Sequence, residues 1–164
     1  MPQAEQIKTK TKTPEQALAA LMRLCSRAER SSGDARRLMA RWGVPAAERE
    51  GVLDKLIEMR FIDDSRYAAA YVRDRSRFGG WGTYKIRAGL KEKGVAQEII
   101  DEALAQITEE GSEEQLRSQI ERKAPKVKAE NDYELKTKLI RFALSRGFEY
   151  DTVLAVVEQY MKER

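Results

Sequence analysis

The 164-residue chain predicts an all-α fold, three tandem three-helix repeats forming an elongated, curved modular bundle. Three observations predict it. Helix-start signals recur along the chain, no segment alternates apolar and polar residues as a half-buried strand does, and one glycine-centred pattern occurs three times. The pattern is centred on Gly43, Gly94 and Gly147, which lie 51 and 53 residues apart. Each glycine is followed by an apolar residue, Val44, Val95 or Phe148. Eight residues earlier stand Ala35, Ile86 and Leu139, and four earlier Met39, Leu90 and Ala143, so both positions share one helix face. Beyond the glycines, Val52/Leu53/Leu56, Ala103/Leu104/Ile107 and Val156/Val157/Tyr160 recur nine, ten and thirteen residues on. The unit is helix, glycine stop, helix, because glycine adopts the left-handed conformation that ends one helix and reverses the chain.

Residues 1–12 read as a flexible basic arm, bearing lysines but no apolar core. Thr13, Pro14 and Gln16 then supply an N-cap, a proline at the first helical position and a capping-box partner. They start a helix along Ala17, Leu18, Leu21, Leu24 and Ala28, and the first glycine pair completes repeat one, residues 13–60. Repeat two, residues 61–110, opens with Phe61-Ile62-Asp63-Asp64-Ser65-Arg66-Tyr67. There Asp63 caps, Asp64 sits at the positive end of the helix, and Ile62 packs on Tyr67. The run Phe78-Gly79-Gly80-Trp81-Gly82-Thr83 has neither the spacing of a phosphate-binding loop nor a strand before it. It reads as a turn into the next helix, with Trp81 packed between units or presented at an interface. In repeat three, residues 111–164, Ser112 with Gln115 and Asn131 with Glu134 mark two more helix starts, and Pro125 ends the helix between them. Nine short helices result. A unit of about fifty residues has a marginal core, so each repeat draws part of its stability from its neighbours.

Composition narrows the chemistry. The chain has no histidine, which excludes Ser-His-Asp and Cys-His nucleophile systems, His-ligated zinc and an imidazole acid or base. One cysteine, Cys25, makes neither an intramolecular disulfide nor a metal cluster and fits a reducing, cytoplasmic setting. No apolar run approaches the roughly 18 residues that span a bilayer, so no membrane partner is expected. Asp63 and Asp64 are adjacent, but a hard cation wants several converging oxygens, and Arg66 stands beside them. No catalytic residue, metal or cofactor is therefore assigned, and an enzyme is not expected.

Charge is unevenly spread although the net is only +4. Residues 65–95 carry eight Lys/Arg against two acids, whereas residues 96–121 carry one Arg against eight acids. Arg66, Arg73 and Arg77, seven and four residues apart, share one helix face, with Tyr67, Tyr71 and Phe78 one step round it. Lys85, Arg87, Lys91 and Lys93 follow on the next helix, and Arg141 and Arg146 contribute from the third repeat. Such a set neutralises phosphates or an acidic protein surface; a solvated helix face explains the same charges. Cys25, Met22 and Trp42 fall on apolar faces and read as core.

These residues resemble a known family. Phe61 to Ala68 with Tyr71-Val72, Gly82 to Val95 with Lys85-Ile86-Arg87 and Lys93-Gly94-Val95, Arg146-Gly147-Phe148, and the first-repeat positions Glu29, Ser31, Asp34, Met39 and Gly43 are together similar to the RecX regulatory proteins. The sequence departs from the family pattern at Arg30, Ala35, Thr83 and Gly89. The resemblance implies a cytoplasmic regulator that binds RecA and the RecA–single-stranded DNA filament; a monomer is expected, although no residue pattern sets the oligomeric state. It would inhibit recombinase, ATPase and co-protease activities in DNA repair and the SOS response, with direct DNA binding in some members. A stand-alone helical DNA-binding protein of helix-turn-helix type is the alternative. That alternative implies steeply salt-dependent DNA affinity without a protein partner.

Overall fold

The computed structural model describes residues 11–164, in which nine α-helices and one 3-10 turn are found. They are α1 (Pro14–Arg27), α2 (Ser32–Arg41), α3 (Ala46–Glu58), α4 (Asp64–Arg77), α5 (Thr83–Glu92), α6 (Gln97–Leu104), α7 (Glu109–Lys123), the 3-10 turn Ala124–Lys126, α8 (Asp132–Ser145) and α9 (Tyr150–Glu163). Most of the predicted arm, residues 1–10, lies outside the described residues.

Local signals set most boundaries. At α1 the full capping box forms, Thr13 Oγ1 accepting from Gln16 N at 3.2 Å while Gln16 Oε1 accepts from Thr13 N at 3.0 Å. Asp63 caps α4 by accepting from Arg66 N at 3.1 Å, and Asn131 caps α8 by accepting from Glu134 N at 2.8 Å. Glu134 reaches one residue further back than a capping box requires, accepting from Glu130 N at 3.1 Å. Its carboxyl is held below the usual range by hydrogen bonds from the Lys138 ammonium and from that backbone N–H. The predicted start at Ser112 is incorrect. The cap of α7 is Thr108, which accepts from Gly111 N at 2.9 Å, and Glu109 and Glu110 occupy the first turn, where carboxylates complement the helix dipole. Ser112 lies inside that helix. Pro125 follows the end of α7 as predicted.

The three glycine stops share one geometry. Gly43, Gly94 and Gly147 have φ of 70°, 76° and 92°, a region that side chains with a Cβ avoid. The equivalent helix positions are all fully buried: Ala35, Ile86 and Leu139, then Met39, Leu90 and Ala143. The apolar residues after the glycines are buried as well.

Contacts group the chain into two compact units. The first runs up to Tyr67 and takes in Lys93–Val95. Its core joins Ala17 and Leu21 of α1, Ala35 and Met39 of α2, Val52, Leu53 and Leu56 of α3, and Val44 and Ile62 from the turns. The start of α2 is fastened to the Gly94 turn. Ser31 Oγ accepts from Asp34 N at 3.1 Å and donates to the Lys93 carbonyl at 2.6 Å, so one hydroxyl both caps the helix and makes the joint. Gly33 permits the approach: a Cβ there would fall 2.2 Å from Lys93 O and 2.8 Å from Gly94 Cα. Ser32 donates to Asp64 from its N–H, at 2.8 Å, and from its hydroxyl. At the Gly43 turn the carbonyl in the same place belongs to Trp42, and Lys12 N donates to it at 2.8 Å while the Lys12 ammonium lies 5.1 Å from the Trp42 ring centroid.

The second unit comprises Ala68–Glu92 and Ala96–Arg164. One core cluster is built from Leu116 and Ile120 of α7, Leu135, Leu139 and Ala143 of α8, Val153, Val156 and Val157 of α9, together with Ala124 and Phe148. Here the start of α5 meets the Gly147 turn in the same way. Gly82 N donates to the Arg146 carbonyl at 2.7 Å and Tyr84 N to the Gly147 carbonyl at 3.0 Å. A Cβ at Gly82 would stand 2.4 Å from the Gly147 carbonyl carbon.

These contacts make opposite demands on two glycines of the first unit. Gly33→Ala, which collides with backbone, is expected to lower unfolding free energy by about 2 kcal/mol or more. Gly51→Ala, in α3 with nothing within 4 Å of the new methyl, is expected to raise it by about 0.5–1 kcal/mol. Urea denaturation of both variants reads the two signs, and equal effects would refute the joint.

Candidate functional site

The site is built around Trp81 in the second unit. As α4 ends, Phe78 N and Gly79 N donate to the Asp74 carbonyl at 3.0 and 3.2 Å, and Trp81 N donates to the Arg75 carbonyl at 2.9 Å. Gly80, at φ 67°, makes the bend. From α7 and the end of α8, Gln119 Nε2 donates to Gly80 O at 3.0 Å and the Arg146 guanidinium donates to Gly79 O. The loop that reads as a turn in the sequence is therefore pinned by side chains from two other helices. Tyr71 meets Trp81 edge to face, with ring centroids 6.3 Å apart. The Arg75 guanidinium stands 4.9 Å from the Tyr71 centroid and 5.1 Å from that of Trp81, and the Lys85 ammonium lies 4.6 Å over Trp81. Cations over these rings gain about 0.5–1 kcal/mol each at exposed positions. Gly89 makes room for Tyr71, since a Cβ there would lie 2.1 Å from its hydroxyl oxygen. A mid-helix glycine costs about 1 kcal/mol relative to alanine, and here the packed ring accounts for it.

The predicted basic residues are spread over both units and do different things. In the first, Arg66 pairs with Glu29 at 2.7 Å and donates to the carbonyls of Arg60 and Phe61 at 3.1 and 3.3 Å. It thereby holds the turn in which Arg60 takes a left-handed φ of 61°. Lys93 stands 3.9 Å from Asp34. In the second unit Arg87 pairs with Asp101 at 2.5 Å, Lys85 covers Trp81, and Arg146 clamps the loop. Arg73, Arg77, Lys91 and Arg141 are exposed. Arg73 is 3.6 Å from its neighbour Asp74, and Arg77, Lys91 and Arg141 form no ion pair among the described residues. Beside these cations two aromatic side chains are exposed, Phe78 at 87% and Tyr84 at 61%.

Sequence reasoning missed Arg75, although its place four residues after Tyr71 and near Trp81 signals ring contact. It also missed the basic run Arg122, Lys123 and Lys126, set just after the acidic stretch. Half-buried Cys25 has its thiol pushed up by desolvation, which leaves it protonated and weakly nucleophilic at neutral pH. Among the described residues no group of three or more His, Cys, Asp or Glu is placed to hold a metal ion.

Residues 63–104 match the family model for the second three-helix domain of RecX, and residues 111–157 match that for the third. Regulatory protein RecX of Vibrio campbellii is 31% identical over 134 residues, covering 82% of this chain and 84% of that one. The chain belongs to the RecX family. RecX of Clostridium botulinum strain Alaska E43 is 37% identical over 111 residues, 66% of this chain, and the chain spans about half the length of that relative, 51%. RecX of Mycolicibacterium smegmatis is 28% identical over 161 residues, 96% of this chain and 86% of that one. The crystal structure of RecX from Lactobacillus salivarius superposes with a TM-score of 0.81 at 21% identity, covering 89% of this chain and 95% of that one, a likeness of fold. The all-α, modular architecture read from the sequence is thus that of RecX. Among the described residues no helix is long and apolar enough to cross a membrane.

The dependence of the ring cluster on Gly89 is open to test. In a Trp42→Phe background, Gly89→Ala is expected to displace Tyr71, red-shift Trp81 emission and raise its quenching by acrylamide. Unchanged emission and quenching would show that Tyr71 does not need that space.

Proposed function

We propose that this RecX-family chain is a cytoplasmic regulator that binds RecA and the RecA–single-stranded DNA filament and inhibits RecA. Family membership is the observation that carries the reading. The mechanism is mass action: a protein that binds one assembly state in preference to another shifts assembly by that difference in affinity. The contact is assigned to α4 and α5, where Arg73, Arg77 and Lys91 keep exposed heads and Phe78 and Tyr84 offer aromatic area. Arginines and aromatics with few internal partners are the usual anchors of protein interfaces. Lys85 and Arg141 are secondary contributors, while Arg66, Arg87, Lys93 and Arg146 serve mainly to hold the chain. The division into three modules, 13–60, 61–110 and 111–164 as read from the sequence, belongs to the same proposal with the last boundary moved back to the Thr108 cap of α7, and is supported by the three equivalent glycine turns.

ATP hydrolysis by the cognate RecA on single-stranded DNA, titrated with this protein, tests it. Inhibition is expected, and the combined Arg73→Glu, Arg77→Glu and Lys91→Glu variant is expected to need about tenfold more protein for the same effect, with helicity unchanged. Full inhibition by that variant would remove the site assignment. A wild-type protein that leaves RecA unaffected yet binds DNA tightly and with a steep salt dependence would establish the helix-turn-helix alternative instead.

A further inference from the structure

The second unit holds a polar cleft of about 240 Å³ lined by Thr83, Glu109, Ser112, Phe148, Glu149 and Thr152. Three helix starts build it. Thr83 opens α5, Glu109 opens α7 with Ser112 one turn on, and Glu149 caps α9 three residues ahead of Thr152. The joint at the Gly147 turn brings α5 to α9, and α7 packs along α9. Among the described residues, none of the two carboxylates and three hydroxyls makes a side-chain hydrogen bond or an ion pair. Thr152 is only 8% exposed, so its hydroxyl faces the cleft from a buried position without a partner. Carboxylates complement helix starts, which accounts for Glu109 and Glu149. It does not account for the hydroxyls, because a buried polar side chain is normally hydrogen-bonded.

A ligand that suits this lining carries positive charge and presents donors outward, since two carboxylates meet there and no cationic side chain lines the cleft. A bare ion does not suit it: direct coordination needs several converging oxygens, and no three acidic groups among the described residues are placed to supply them. Magnesium, however, sheds water reluctantly and is commonly held through one or two carboxylates with several of its waters kept. Six waters at about 30 Å³ each fill about 180 Å³, which the cleft of about 240 Å³ accommodates. Each of those waters turns its hydrogens outward, toward oxygens that accept them. We propose that this cleft is an outer-sphere site for hydrated magnesium, with Glu109 and Glu149 accepting from the ion's waters and Thr83, Ser112 and Thr152 completing the shell. The hydrated ion is favoured over an organic amine because it presents donors in every direction, matching acceptors contributed by three helix starts, whereas an amine directs them from its nitrogens alone. The site requires neither RecA nor nucleic acid and stands independently of the α4 and α5 assignment.

The test is an NMR titration of the full isotope-labelled chain with magnesium chloride at constant ionic strength. Saturable shifts are expected at the backbone amides of Thr83, Ser112 and Thr152, and cobalt(III) hexammine, whose ligands do not exchange, is expected to move the same amides. Glu109→Gln/Glu149→Gln changes two exposed side chains, so the fold is retained, which circular dichroism verifies. Affinity is expected to fall by about tenfold or more in that variant, because hydrogen bonds to a charged acceptor are the strong ones. Thr152→Val, which keeps the shape and removes the hydroxyl, is expected to weaken binding by about two- to fivefold. Glu98→Gln/Glu102→Gln, the same charge change on exposed positions of α6, is expected to leave affinity within about twofold. Equal losses in the two double variants would overturn the proposal, since net charge alone would then govern binding. Shifts that grow linearly without saturating are those of diffuse counterions and would overturn it as well. So would cobalt(III) hexammine that leaves these amides unmoved, which means direct coordination, or putrescine that saturates them at lower concentration than magnesium, which means an amine site. Because RecA is absent, failure here leaves the regulatory reading standing, and failure of RecA inhibition leaves this site standing.

Discussion

A backbone carbonyl just ahead of a left-handed glycine is the point on which this architecture turns. When a helix ends in a glycine turn, its last carbonyls are left without helical partners and must be satisfied from elsewhere. Lys93 and Arg146 hold equivalent places before Gly94 and Gly147, and each offers its carbonyl to the start of a helix from the preceding part of the chain. The donor differs, a serine hydroxyl in one joint and a glycine amide in the other, but both require backbones to meet at van der Waals distance. That requirement puts glycine on both sides of each joint, at Gly33 and Gly94 and again at Gly82 and Gly147. The glycine is thus a stop and a socket at once.

Much of this was legible in the sequence because it is local. Caps at Thr13, Asp63 and Asn131, the three glycine stops and the buried positions at fixed offsets from them depend on residues within a turn or two, where spacing translates directly into geometry. Ser112 misled because a Ser followed by Gln three residues on also occurs inside a helix, and the earlier Thr108 with two glutamates outcompetes it. What the sequence did not disclose is which cations are spent internally. Arg66, Arg73 and Arg77 share one helical face by periodicity, yet Arg66 is drawn to Glu29, 37 residues away, and to the carbonyls of a left-handed turn. Such partners are brought close by the fold, and no count of charges reveals them. Asp64 behaves likewise, serving Ser32 as well as its own helix.

Arg146 shows how closely stability and the basic surfaces are joined. Its carbonyl receives Gly82, its guanidinium holds Gly79, and the same side chain lines an open cleft with Arg122 and Lys126. The loop that presents Trp81 and the cleft of the third module therefore rest on one residue. Charge reversal there removes a structural clamp along with a cation.

The contact between Lys12 and Trp42 bears on self-assembly. A modular array whose joints are all alike risks growing without limit, as an uncovered sheet edge does, by adding the helix start of one copy to the vacant turn of another. Here the equivalent acceptor at the Gly43 turn already carries a 2.8 Å hydrogen bond from Lys12 of the same chain, with the lysine ammonium laid on the Trp42 ring. A second copy has to break that intramolecular bond before its own helix start can dock at this turn, so of the three equivalent carbonyls this one too is already engaged within the chain.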